Sequence, residues 1–272
     1  MGIVDCHFHV IAPSDLAPMV PARSYTPEPA SLQQWRDTLG PLGVTHGVVV
    51  QPSFYGTDHR VLLQALAEGE GRLAGVAAVA ADVTDRELDR LVAAGVRGLR
   101  MAHFEPGDPR AMGGFVPFAA FNALEPRLAA RGLHLQLFTD SRLLPSMAER
   151  LVRSRVPVMI DHMGRAPARL GAGHDGIVAL TRLMRDGPVW AKLSGVANIS
   201  EMAPDHEDAR AVHEALIEAA PERLVWGSDW PHTRPGGGRP STSHLVRLFR
   251  DWTPPPLDER IAWRNAVEFY RL

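Results

Sequence analysis

The stretch VDCHFHV at residues 4–10 places an acid and two imidazoles inside a run that otherwise reads as a buried strand. His7 and His9 are two apart, so a strand points both to one side. Two imidazoles withdrawn from water on one face cost stability unless something uses them. Imidazole polarises, shuttles protons or binds metal. Two further stretches carry similar chemistry. MIDHMGR holds Asp161, His162 and Arg165, and WGSDWPH holds Asp229 and His232. Each residue also has a plain reading. A lone buried histidine is usually just hydrogen-bonded, Asp229 would suit a helix N-cap, and Ser53 would suit a loop bond. Their common position argues otherwise, because all follow the ends of apolar runs.

Those runs are the elements that must position them. Eight occur, at 3–9, 47–53, 73–80, 96–101, 133–138, 156–162, 189–195 and 224–230. Nearly continuous apolar runs of this length suit parallel strands covered on both faces. Helical patterns alternate with them, at 31–42, 57–69, 84–95, 116–132, 141–153, 176–187, 207–220, 241–252 and 257–272. Eight strand–helix units predict a (β/α)₈ TIM barrel, a single domain over residues 1–272. A doubly wound open sheet is the alternative. It is weakened because no glycine-rich phosphate loop follows a strand.

Barrel strands aim their C-terminal ends at the active site. Read that way, His7 and His9 close strand 1, Gln51 and Ser53 strand 2, and Phe138 strand 5. Asp161 and His162 close strand 6 with Arg165 following, Lys192 and Ser194 close strand 7, and Asp229 closes strand 8. Arg97 and Arg100 are three apart and face opposite sides, so one enters the mouth and the other forms an external ion pair. Lys192 shares a face with Ser194 and lies deeper. Pro/Gly-rich pieces at 11–29, 104–117 and 231–240 would lie over the mouth.

A formal net charge of −2 leaves no basic excess to attract nucleic acid or an anionic membrane. One cysteine, Cys6, rules out an intrachain disulfide, which suits a reducing compartment. Neither a signal-peptide pattern nor a long uninterrupted apolar stretch is visible. The expectation is a cytoplasmic chain with a small-molecule partner, and self-association into a homo-oligomer is left open.

The ordered series VDCHFHV, RSYTP, VVVQPSFYGTDH, GVRGLRM, VMIDHMGRAP, WAKLSGVANIS and LVWGSDWPHT resembles the amidohydrolase superfamily. More narrowly it resembles the branch of 2-pyrone-4,6-dicarboxylate lactonase, sulfomuconolactone hydrolase and galactarolactone isomerase. The superfamily's metal-ligand pattern is matched at His7, His9, His162 and Asp229. It is broken at strand 4, which offers Arg100 and no bridging residue, and at strand 5, which offers Phe138. A two-metal site is therefore not expected. The pyrone lactonase branch implies a metal-free site, and the alternative is a single zinc on His7, His9, His162 and Asp229. The branch further implies that Tyr25, Ser53, Arg165, His162 and Asp229 line the substrate, with Arg100 as a further carboxylate partner. Asn198 stands where the branch pattern KLSGxxR has an arginine, and Phe138 stands where it has a tyrosine.

The resemblance thus implies hydrolysis of a carboxylated lactone. Asp229 would be the general base, with His7, His9 and His162 polarising the carbonyl and stabilising the oxyanion. Tyr25, Ser53, Arg100, Arg165 and Asn198 would face the substrate. The rivals are a lactone isomerase, a metal-dependent decarboxylase, and a non-catalytic barrel that binds a small acid. The last would scatter its histidines or fill its mouth.

Overall fold

Apolar, β-branched runs form strands here because both of their faces are covered. In the computed structural model, which describes residues 2–23, 25–108, 113–233 and 240–272, eight parallel strands follow one another in chain order. They are β1 Ile3–Phe8, β2 Val44–Val50, β3 Leu73–Ala77, β4 Val96–His103, β5 His134–Thr139, β6 Val158–Ile160, β7 Val189–Leu193 and β8 Leu224–Trp226. A parallel bridge between Phe8 and Trp230 nearly closes the circle. The expected barrel is therefore present. Several strands stop earlier than the apolar runs suggest. Gln51, Asp161, His162, Ser194 and Asp229 lie in the first residues beyond their strands.

Eight main helices return the chain along the outside: α1 Leu32–Leu39, α2 Arg60–Glu68, α3 Asp85–Ala93, α4 Phe121–Arg131, α5 Leu144–Val152, α6 Asp175–Asp186, α7 Glu207–Ala219 and α8 Thr242–Trp252. Their starts follow local chemistry. Ser31 and Gln34 form a reciprocal capping box on α1, and Thr84 and Ser241 cap α3 and α8. The helical pattern of α1 runs to residue 42 in the sequence. The regular helix stops at Leu39 and finishes as a tight turn through Gly40–Leu42, where Pro41 brings no N–H.

Two apolar layers hold the barrel. The outer one packs helices on strands. The inner one gathers Val4, Cys6, Val48, Val50, Val76, Met159 and Val225, with Tyr270 of the C-terminal segment reaching in. A polar layer of Arg100, Gln136, Asp161 and Lys192 is also buried. Among the described residues, no helix is long and apolar enough to cross a membrane.

Candidate active site

Strand β1 presents the histidines by way of an irregularity. Its pairing with β2 shifts register between Asp5 and Phe8. Cys6 packs into the inner apolar layer while His7, the next residue, also contacts barrel-interior groups. Such bulges re-aim side chains beside active sites. Asp5 is committed elsewhere. Its carboxylate accepts from Trp35 Nε1 of α1 at 2.9 Å and from the Ser228 backbone and hydroxyl at 2.7 and 2.6 Å. Burial pushes its carboxyl above the ordinary range, and these donors pull it back. Asp5 thus pins the loop after β8 to β1. Backbone bonds from Asp229 N to His7 O and from His9 N to Trp230 O complete the junction. Trp35→Phe keeps the stacking on Phe8 but deletes one donor to a buried carboxylate. It should lower stability by about 1–3 kcal/mol, read as a shift of the urea midpoint.

The junction brings the expected catalytic residues together. Asp229 Oδ1 lies 3.8 Å from His7 Nε2, 3.8 Å from His162 Nε2 and 4.0 Å from His9 Nε2. His7, His9 and His162 are buried, and the Asp229 side chain is 17% exposed. The second carboxylate oxygen, Oδ2, accepts from Asn198 Nδ2 at 2.9 Å. Asn198, expected to face the substrate, therefore bonds the candidate base directly. The asparagine side chain is short enough to stop at Asp229.

Burial sets the charges. Desolvation, with Lys192 as the next contributor, drives His7 well below the ordinary imidazole range. Desolvation also lowers His162 strongly, and with Arg100 takes His9 down to about 3. All three imidazoles are neutral at pH 7. Desolvation raises Asp229 to about 6, against the Asn198 bond and the charges of Arg165 and Arg100. A carboxyl poised there is matched to base catalysis near neutrality.

Several mouth residues are held in the left-handed region. Of the eight non-glycine residues with positive φ among the described residues, five are His162, Met163, Arg165, Asp229 and His232. Strain concentrated this way marks positions that the surrounding structure over-determines, as at ligand sites.

The remaining expectations divide. Tyr25 donates to or accepts from Thr233 Oγ1 at 2.8 Å, just beyond the β8 loop. Arg165 lies with its guanidinium 4.9 Å from the Phe138 ring centre. Arg100 does enter the interior. There its Nε and Nη2 both reach Asp161 Oδ2 at 3.1 Å, so one edge of the guanidinium is already taken by the protein. Arg97 points outward as expected, but it donates to the carbonyls of Val92 and Val96 where an ion pair was expected. Ser53 lies half-buried on the turn after β2, and among the described residues no hydrogen bond joins its hydroxyl to the Asp229 group. Arg234 and Arg239, possible carboxylate partners from the mouth loops, lie outside the described residues.

The layer beneath holds Lys192, deeper than Ser194 as expected, together with Gln136, which sequence reading missed. Lys192 Nζ donates to Gln136 Oε1 at 2.7 Å and reaches His7 Nδ1 at 3.3 Å and Asp161 Oδ1 at 3.5 Å. Burial alone would raise the Asp161 carboxyl, but Lys192, His7 and Arg100 outweigh it and hold Asp161 well below the usual range. The available signal was a single polar residue inside each apolar run, Gln136 in LHLQLF and Lys192 in VWAKLS.

These donor atoms suit one divalent cation. Ligand atoms of His7, His9 and Asp229 lie within 4.8 Å of one another, as do those of His7, Asp161 and His162. Imidazole and carboxylate together are a zinc-type donor set.

A (β/α)₈ barrel with histidines and an aspartate gathered past the C-terminal ends of its strands defines a barrel enzyme of the hydrolase type. The chain belongs to the amidohydrolase family, whose model matches residues 4–272. It is 31% identical to 4-sulfomuconolactone hydrolase of Hydrogenophaga intermedia over 93% of this chain and 83% of the relative. It is 29% identical to a 2-pyrone-4,6-dicarboxylate hydrolase of Comamonas testosteroni, over 99% and 90%. Among solved structures, an apo Agrobacterium tumefaciens protein superimposes with a TM-score of 0.88 at 25% identity, over 100% of this chain and 96% of that one.

Proposed function

We propose that the protein hydrolyses a carboxylated lactone, with Asp229 as general base. The observation that carries this reading is the Asp229 Oδ1 atom, faced at 3.8–4.0 Å by three buried imidazole nitrogens. The separations exceed hydrogen-bond length and leave room for reacting atoms between the groups. Water bound there gives a proton to Asp229 as its oxygen attacks the lactone carbonyl carbon. The carbonyl π bond opens to an oxyanion, which donors in the pocket stabilise. Collapse breaks the bond to the ring oxygen, and Asp229 returns the proton to that oxygen. The product is a hydroxy acid. Arg165 provides charge for the substrate carboxylate.

The test is hydrolysis of pyrone, muconolactone-type and sugar-acid lactones in ¹⁸O-labelled water. The expected product is an open hydroxy acid carrying one solvent oxygen in its new carboxylate. An isomeric lactone without solvent oxygen would replace this reading with the isomerase. Absence of any turnover across the three lactone classes would count for the binding barrel.

A cation held by His7, His9 and Asp229 would supply Lewis-acid polarisation of the carbonyl and a more acidic water. We propose that the protein's own groups suffice. Dialysis against a chelator should then leave kcat unchanged, with metal well below one equivalent by elemental analysis. Loss of activity on chelation, regained with zinc, would overturn that.

A further inference from the structure

We infer that the two histidines of the first strand hold opposite tautomers, His9 facing the cavity as a hydrogen-bond acceptor and His7 as a donor, with Lys192 as the positioning residue that sets His7. The inference rests on the hydrolase reading for its catalytic meaning, but the tautomers themselves do not depend on it.

His9 is fixed by a backbone carbonyl. Its Nδ1 lies 2.7 Å from Val50 O. A carbonyl only accepts, so Nδ1 carries the proton. In a neutral imidazole the other nitrogen then has only a lone pair. That lone pair, on Nε2, is what His9 shows to Asp229 Oδ1 at 4.0 Å. With this tautomer His9 does not donate to a substrate carbonyl, a role different from the polarising one that the resemblance implies. Two acceptors about 4–4.5 Å apart match the span of one water donating both hydrogens at ~2.8 Å each. His9 Nε2 and Asp229 Oδ1 are such a pair. A water seated on them turns its own lone pair outward, as a nucleophile must.

His7 is set the other way. The hydrogen-bond contact at its Nδ1 is Lys192 Nζ, at 3.3 Å. As an ammonium paired with Asp161 Oδ1 at 3.5 Å, Lys192 can only donate, so Nδ1 accepts and the proton sits on Nε2. The competing arrangement has Nδ1 donating to Asp161 Oδ1, also at 3.3 Å. Asp161 Oδ1 nevertheless has no partner meeting hydrogen-bond geometry, and neither does His7 Nε2, although both atoms are buried. Arg100 and Gln136 serve the other Asp161 oxygen, Oδ2. Lys192 is locked in place by Gln136 Oε1 at 2.7 Å. The unpaired Nε2–H of His7 then points into the cavity without an acceptor. A developing oxyanion would supply one. The HxH pair thus divides the labour, one imidazole orienting the water and the other receiving negative charge.

The experiment is long-range ¹H–¹⁵N correlation on protein as purified, with ring-¹⁵N histidine and its metal content measured. Protonated and unprotonated ring nitrogens resonate in separate ranges, so each tautomer is read directly. His7→Gln and His9→Gln spectra identify the two rings among the twelve histidines. The expected pattern is Nδ1–H for His9 and Nε2–H for His7. Nδ1–H on His7, donated to Asp161, would overturn the inference, and so would Nε2–H on His9. In Lys192→Met the His7 proton should move toward Nδ1 while His9 keeps its pattern. In the same variant kcat should fall toward the roughly 10²–10³-fold loss that removal of one oxyanion donor brings, with KM little changed. An unchanged His7 pattern in that variant would exclude Lys192 as its cause. If the variant does not fold, the wild-type spectrum decides alone. These spectra are recorded without substrate, so a failed lactone assay leaves the tautomer result standing, and the converse holds.

Discussion

Asp229→Asn is expected to lower kcat by about 10²–10⁴-fold, the usual cost of losing a general base, while KM changes little. The substitution keeps the shape of the side chain. Its amide oxygen can still accept from Asn198, the contact that now orients Oδ2. The capacity to take a proton on Oδ1 is lost. The pH profile gives an independent reading. Desolvation raises Asp229 to about 6, so the base is ionised above that pH and protonated below it. In the wild type, kcat/KM should hold near neutrality and fall about tenfold per pH unit well below 6. That acid limb should vanish from the residual activity of the variant. Near-normal kcat in the variant would remove Asp229 from the mechanism. A wild-type limb near the ordinary aspartate range would show that the carboxyl is better solvated than its surroundings indicate.

What was legible in the sequence follows the physics of each signal. Apolar runs and capping residues are local, so the eight strands, their order and most helices could be read in advance. The gathering of His7, His9, His162 and Asp229 was legible because the barrel makes one rule, that chemistry sits past strand ends, and all four obey it. Orientation was less legible. The route by which His7 and Cys6 both reach the interior depends on a register shift, which no two-residue period encodes. The left-handed backbone at Asp229 and His162 is equally hidden, since neither is glycine. The bond from Asn198 to Asp229 was not legible, because its reach depends on the turn after β7. Lys192, Gln136 and Asp161 were the hardest, because their meaning is mutual. A buried lysine is costly alone and becomes acceptable only beside Asp161. Such pairings join β5, the end of β6 and β7, whose closeness appears only once the barrel has formed.

The same layer bears on substrate choice. A carboxylate carried into this mouth meets fewer unengaged cations than the sequence suggests. Arg100 spends one edge of its guanidinium on Asp161. Asn198 is neutral and turned to Asp229. Arg23 of the first mouth loop donates to Thr26 Oγ1 and to Val20 O. Between Arg100 and Arg165 stands Phe138, 4.9 Å from each guanidinium, with Phe104 and Phe115 packed against it at 5.0 and 5.2 Å. This wall receives flat apolar surface and offers no hydroxyl at Phe138. Arg–carboxylate pairs are bidentate and charge-assisted, and asparagine cannot replace that charge. A second buried carboxylate left under-paired costs about 2–5 kcal/mol in comparable sites. The expected result is therefore that 2-pyrone-4,6-dicarboxylate has a much lower kcat/KM than lactones with a single carboxylate. Asn198→Arg should narrow that gap by restoring a cation, and should also lower kcat for every substrate by untying Oδ2 of the base. These two effects separate cleanly, one in the ratio between substrates and the other common to all of them. If the dicarboxylate is the better substrate of the wild type, the clamp has been rebuilt elsewhere in the mouth, and Arg234 and Arg239 are the residues to replace next.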